Sequence, residues 1–187
     1  MSRLDAQRAS LVVIDVQEAF RKVVPDFGDL TRASSALVQG AEATGIPIVI
    51  TEQYPKGLGH TVDEIARHLP DGMEPISKTC FAATDAEGFD LGGRDQAIVC
   101  GIEAHVCVNQ SVLGLLEQGV EVHVVADAVG SRTEDNRAIG LGKAERAGAI
   151  LTSVETALFE LVGRAGTDEF KRVQQLVLEF APNEAPA

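Results

Sequence analysis

The sequence predicts a doubly wound α/β domain, built on a mostly parallel six-stranded sheet with helices on both faces. Three observations lead there. Short apolar runs alternate with amphipathic stretches along the chain. Most of these runs are rich in Val and Ile with little polar alternation, as expected of strands covered on both faces. Glycines stand just ahead of several runs, where the end of a helix takes a left-handed residue. Repetition of strand, helix, strand favours one parallel sheet with right-handed crossovers.

The first run is "SLVVIDV" (10–16), followed by "LTRASSALVQGAEATG", in which Leu30, Ala33, Leu37 and Ala41 share one helical face and Gly45 ends the pattern. The second run, "IPIVITE" (46–52), leads into "QYPKGLGHTVDEIARHLPDGMEP" (53–75), whose three prolines and three glycines surround one short helical patch. Such an excursion beyond a strand end reads equally as a rim or lid over a ligand site and as a plain surface loop. Next come "EPISK" (74–78) and "QAIVCGI" (96–102), then Val108, Val112, Leu115 and Leu116 at helical spacing, closed by Gly119. "VEVHVVAD" (120–127), a helical stretch ending at Gly148, and "GAILTS" (148–153) complete the set. Residues 1–180 read as a single domain, and the tail 181–187 lacks apolar anchors and is expected to fray.

Composition narrows the function. The 187 residues carry 16 Lys and Arg against 28 Asp and Glu, a net charge of −12. An acidic surface repels phosphate backbones and anionic lipid, which argues against nucleic-acid and membrane partners. The first ten residues mix both charge signs and the run after them is broken by Asp15, unlike a signal peptide, and nothing later approaches the ~20 apolar residues of a membrane span. Three cysteines without a close C-x-x-C pair suggest reduced thiols in the cytoplasm rather than a disulfide framework.

In a parallel sheet the strand C-termini share one edge, so polar residues that end separate runs converge. Asp15, Lys78 and Cys107 stand at or just beyond three such ends. A carboxylate, an amine and a thiol gathered there make an activated nucleophile. Taken singly, each has an ordinary explanation: Asp15 as a helix N-cap, Lys78 as a solvated strand end, and a cysteine as a small buried hydrophobe. Cys107 precedes the helical pattern and so is expected at a helix N-terminus, where the dipole lowers a thiol pKa. Cys100 lies inside an apolar run and is expected to be buried and inert.

The segments "LVVIDVQEAF", "ISKTCFAA", "CGIEAHVCV", "VVADAVGSR" and "GAILTSVETALFEL" together resemble the isochorismatase-like cysteine hydrolases, a superfamily that includes the nicotinamidases, and the resemblance runs in order over nearly the whole chain. It implies that Cys107 attacks an amide-like carbonyl, that Asp15 takes the thiol proton and later activates water, and that Lys78 steadies both. It also implies a cis peptide at Ile102–Glu103, with the backbone N–H groups of Glu103 and Cys107 as an oxyanion hole. Gln17, Phe20, Tyr54 and Phe81 flank these segments and are expected pocket walls for a small-molecule substrate. Nicotinamidases carry an Asp-x-His and a further His after the second strand that bind a metal. Here Gln53 and Tyr54 stand in that region with only His60 nearby and His68 further on, so no metal or other cofactor is expected. His60 reads as a rim residue, His105 as facing either pocket or partner, and His123 as packed within its strand. The family also implies a homo-oligomer, for which the helical stretch 134–148 and "FKRVQQLVLEF" (170–180) offer apolar strips.

Three other classes compete with the hydrolase. A non-catalytic oligomeric or interaction member of the same fold is one. A nucleotide-binding Rossmann protein is another, opposed by the absence of G-x-G-x-x-G after the first run. A thiol redox protein needs a resolving cysteine, for which Cys80 is the candidate.

Overall fold

A computed structural model describes residues 2–180; the tail 181–187 lies outside the described residues. Six strands form one sheet: β1 (Ala9–Ile14), β2 (Ile48–Gln53), β3 (Ile76–Lys78), β4 (Gln96–Ile102), β5 (Glu121–Gly130) and β6 (Ile150–Thr152), in the order β3-β2-β1-β4-β5-β6. Every neighbouring pair is parallel. The chain therefore winds outward from β1 to one edge, returns to β4 and winds to the other edge. The strand order reverses between β1 and β4, the place at which open α/β sheets take ligands beyond the strand C-termini.

The helices are α1 (Phe27–Thr44), α2 (Pro55–Leu58), α3 (Asp63–Ala66), α4 (Asn109–Glu117), α5 (Glu134–Ala147), α6 (Val154–Val162) and α7 (Asp168–Phe180). Burial follows the pleat. All six residues of β1 are buried: Leu11 and Val13 join Leu30, Ala33 and Leu37 of α1 and residues of α6 and α7 in one core. Val12 and Ile14 join Val112 and Leu115 of α4 and Ala144 of α5 in a second core on the opposite face. This two-sided cover is why the central runs lack polar alternation.

Three departures from the sequence reading have local causes. β5 runs on through Gly130 because its pairing with β4 slips: Val99 faces Val124, but Gly101 faces Val129. The extra residues form a bulge that lets Asp127 turn aside and accept from the Val154 N–H at 2.9 Å, at the start of α6. The excursion after β2 holds two one-turn helices, α2 and α3, rather than one patch, pinned by an antiparallel bridge between Gln17 and Thr61. The apolar strips expected to serve assembly are largely used within the chain. Val173 and Val177 of α7 are buried in the core beside α1, and Gly140 and Ala144 of α5 are buried, leaving Ile139 and Leu178 exposed.

Candidate active site

Asp15 is the residue after β1. Its backbone is left-handed, with φ 54°, a conformation that costs a non-glycine residue about 1–2 kcal/mol and recurs at functional sites. It is no helix cap. One carboxylate oxygen accepts from the Thr51 hydroxyl at 2.7 Å and the other from the Lys78 ammonium at 2.7 Å. Lys78 ends β3 and reaches Asp15 past β2. Both side chains are closed to solvent, at 0 % for Lys78 and 1 % for Asp15. The solvated-lysine reading is thereby excluded. Withdrawing two charges from water costs several kcal/mol each, so a buried pair is poor evidence of a stabilising role and better evidence of a site.

Cys107 lies in a π-helical turn, Ala104–Val108, that leads from β4 into α4. The Ile102–Glu103 peptide bond before it is cis. At the end of β4, Gly101 has φ +122° and so little room that a Cβ would stand 2.0 Å from the Ile14 carbonyl oxygen. Only glycine lets β1 and β4 approach closely enough to bring Asp15 to the cysteine turn. On the far side of that turn, α5 crosses at Gly140, where a Cβ would meet the Ala104 carbonyl carbon at 2.5 Å. Ser111, one helical turn beyond Cys107, donates to the Cys107 carbonyl at 2.7 Å and accepts from the Ala83 N–H at 2.7 Å. It ties the segment after Lys78 to the segment carrying Cys107.

The thiol departs from expectation. Burial pushes Cys107 up to about 12; the charge of Asp15 and its hydrogen bond from the thiol push the same way, and Lys78 opposes them. Burial of Cys107, at 7 % exposure, and the carboxylate of Asp15 oppose the expected helix-terminus effect. Cys100 is wholly buried on the opposite face of the sheet and burial pushes it up to about 12 as well. The raised value of Cys107 favours a thiol, beside a carboxylate that can receive its proton, over a standing thiolate.

The expected pocket walls separate into two kinds. Gln17 is fully buried and its amide is taken up by backbone: it donates to the carbonyls of Gln53 at 3.1 Å and Gly59 at 2.6 Å and accepts from the Gln53 N–H at 2.8 Å. It braces the excursion and offers no amide to a ligand. Phe20 packs against the core. Tyr54 and Phe81 follow the ends of β2 and β3 and are about half exposed, at 54 % and 50 %. Sequence reasoning missed Thr51 and Ser111, whose one legible signal was a small hydroxyl residue inside an otherwise apolar face, and Gln53, whose amide oxygen accepts from Lys78 at 2.7 Å.

Around the site, the buried carboxylate of Glu52 accepts from the N–H and hydroxyl of Thr61 at 2.6 and 2.9 Å and lies 3.0 Å from His60, an exposed ring. Glu103 accepts from the Arg132 backbone N–H at 3.0 Å and from its guanidinium at 2.9 Å. His105 lies 3.2 Å from the Ser131 hydroxyl, and His123 is buried in β5. Among the described residues, no group of three or more His, Cys, Asp or Glu side chains is placed to hold a metal ion, and no helix is long and apolar enough to cross a membrane. A cleft of about 440 Å³ lies beside the end of β5, lined by Asp26, Asp29, Asp127, Glu134 and Arg137 among others, and none of Asp15, Lys78 or Cys107 lines it.

Comparison with known proteins agrees with this fold. Isochorismatase domain-containing protein 2 of Pongo abelii is 38 % identical over 176 residues, covering 92 % of this chain and 84 % of its own. The structure of MAR1 ribonuclease from Caenorhabditis elegans superposes with a TM-score of 0.89 at 38 % identity, over 100 % of this chain and 95 % of that one. The YcaC protein of Escherichia coli, described as an octameric hydrolase of unknown specificity, superposes with a TM-score of 0.86 at 26 % identity, over 97 % and 92 %. A family model described as the isochorismatase domain matches residues 9–156, and the chain belongs to that family, whose fold is of hydrolase type.

Proposed function

We propose that this protein is a cysteine hydrolase that cleaves a small amide-like C–N bond. The observation that carries the reading is the buried Asp15–Lys78 pair beside the Cys107 thiol. Asp15 takes the proton from the Cys107 sulfur as the sulfur attacks the carbonyl carbon. The backbone N–H groups of Glu103 and Cys107 receive the oxyanion, a kind of donor worth about 3–4 kcal/mol each in the transition state. The C–N bond breaks, Asp15 returns the proton to the leaving nitrogen, and ammonia or an amine departs from a thioester. Asp15 then takes a proton from water, the hydroxide attacks the thioester carbon, and the acid leaves with restoration of the thiol. Lys78, bonded to Asp15 at 2.7 Å, holds the carboxylate in place between these transfers. The 7 % exposure of Cys107 limits the substrate to a small molecule, with Tyr54 and Phe81 at the mouth. No step requires a cofactor.

The test is an ammonia-release screen of amides, carbamoyl compounds and hydroxamates. Wild type turns over at least one class and Cys107→Ser, still folded, turns over none. Turnover by the serine variant equal to wild type removes Cys107 from the chemistry. RNA belongs in the same screen because of the nematode neighbour's name, although a net charge of −12 opposes binding of a polyanion. Cleavage of RNA that depends on Cys107 replaces the amide reading.

The same reading includes self-association. Exposed Ile139 and Leu178 are apolar and unburied in the single chain, and the E. coli neighbour is described as octameric. Light scattering is expected to give a multiple of 19.8 kDa, and a monomer overturns it. Three free cysteines suit a reducing compartment such as the cytoplasm.

A further inference from the structure

The buried ammonium of Lys78 has three hydrogens and four acceptors. The carbonyls of Cys80 and Phe81 are distant, at 3.3 and 3.2 Å, whereas Asp15 and the side-chain oxygen of Gln53 are both at 2.7 Å. Charge-assisted bonds of that length are the strong ones, so two side chains fix where this cation sits. Asp15 belongs to the chemistry already described, and Gln53 does not.

Gln53 is held from every side. Parallel pairing of β2 and β3 sets it directly opposite Lys78. Its side-chain nitrogen donates to the Thr79 carbonyl at 3.1 Å, and its backbone N–H and carbonyl are both bonded to the Gln17 amide. The amide orientation follows from chemistry: its oxygen must face the ammonium and its nitrogen the carbonyl. Almost no rotamer freedom remains to be lost when Lys78 docks. The acceptor is also neutral. A carboxylate at this place would share the lysine's charge with Asp15, and an apolar side chain would leave the buried ammonium, besides Asp15, only the two longer carbonyl contacts. A neutral amide oxygen does neither.

We propose that Gln53 is a positioning residue, which holds the Lys78 ammonium against Asp15 and Cys107 while leaving its charge undivided. The proposal rests on the hydrolase reading of the site, but its test does not require turnover. The probe is iodoacetamide, and the readout is the rate of Cys107 carbamidomethylation in the folded full chain at matched pH, mapped by peptide mass with free N-acetylcysteine in the same reaction as reference. Gln53→Met withdraws the anchor and Gln53→Glu keeps an acceptor but adds a negative charge. Each is expected to slow Cys107 about tenfold, the effect of one nearby charge displaced or cancelled, with the N-acetylcysteine rate unchanged. In a Lys78→Met background, Gln53→Met is expected to slow Cys107 no further, because its action passes through the lysine. A Cys107 rate within twofold of wild type in Gln53→Glu, or single effects that multiply in the double variant, overturns the proposal. If the methionine variants do not fold, Gln53→Glu decides alone. Ammonia release that persists after Cys107 is alkylated overturns the hydrolase reading instead, and leaves this comparison standing.

Discussion

Asp15 and Lys78 form an ion pair that neither partner can lose cheaply. Replacing one side of a buried pair strands the other charge, at a cost of about 3–5 kcal/mol. Asp15→Asn keeps an oxygen for the Thr51 hydroxyl but removes the proton acceptor and the charge facing Lys78. We expect turnover to fall by about 10²–10⁴, the usual loss with a general base, together with a lower denaturation midpoint. Full turnover in the folded variant moves Asp15 to a structural role. Cys107 carries a second expectation. With its thiol pushed up to about 12 by burial and Asp15, carbamidomethylation should rise about tenfold per pH unit from pH 8 to 11. A rate that levels off near neutral pH would mean a standing thiolate. All three residues were legible in the sequence because polar side chains at the ends of apolar runs are anomalies that topology gathers at one edge. The direction of the thiol shift was not legible. It depends on how tightly one turn is sealed, and a π turn leaves no periodic mark.

At the level of elements, the apolar runs located every strand, and in the central ones burial on both faces selects Val, Ile and Ala without alternation. Gly45 and Gly148 end α1 and α5 in the left-handed conformation expected of them. Less legible were the β5 bulge, where an aspartate inside a strand reads as its end, and the tight crossing of α5 over the cysteine turn. Gly140 faces backbone there, at 2.5 Å from a would-be Cβ, and backbone cannot turn away as a side chain can. Gly140→Ala is expected to destabilise by about 1–3 kcal/mol through overpacking, despite alanine's better helix propensity. Chemical denaturation measures it, and a stabilised variant refutes the crossing as described. Glycine at this position reads in the sequence only as a weak helix residue.

For the molecule as a whole, the two buried thiols couple stability to alkaline pH. In the unfolded chain cysteines lose their protons near pH 9, while burial holds both Cys100 and Cys107 up to about 12 in the fold. A raised folded value means that this contribution is complete below pH 9 and is lost as pH climbs towards 12. Each group removes about 1.4 kcal/mol per pH unit over that window. Cys100→Ala should therefore lose stability less steeply than wild type between pH 9 and 11 in urea titrations, and equal slopes refute the assignment. Another consequence belongs to the sheet. Lys78 sits on β3, a three-residue strand at the sheet margin, while Asp15 and Cys107 adjoin the central strands β1 and β4. Marginal strands open by local fluctuations that cost less than global unfolding. Amide protons of β3 should thus exchange with solvent sooner than those of β1 and β4. On warming, the charge arrangement at Cys107 should dissolve while both cores are still folded, so the proposed activity should vanish before the protein melts.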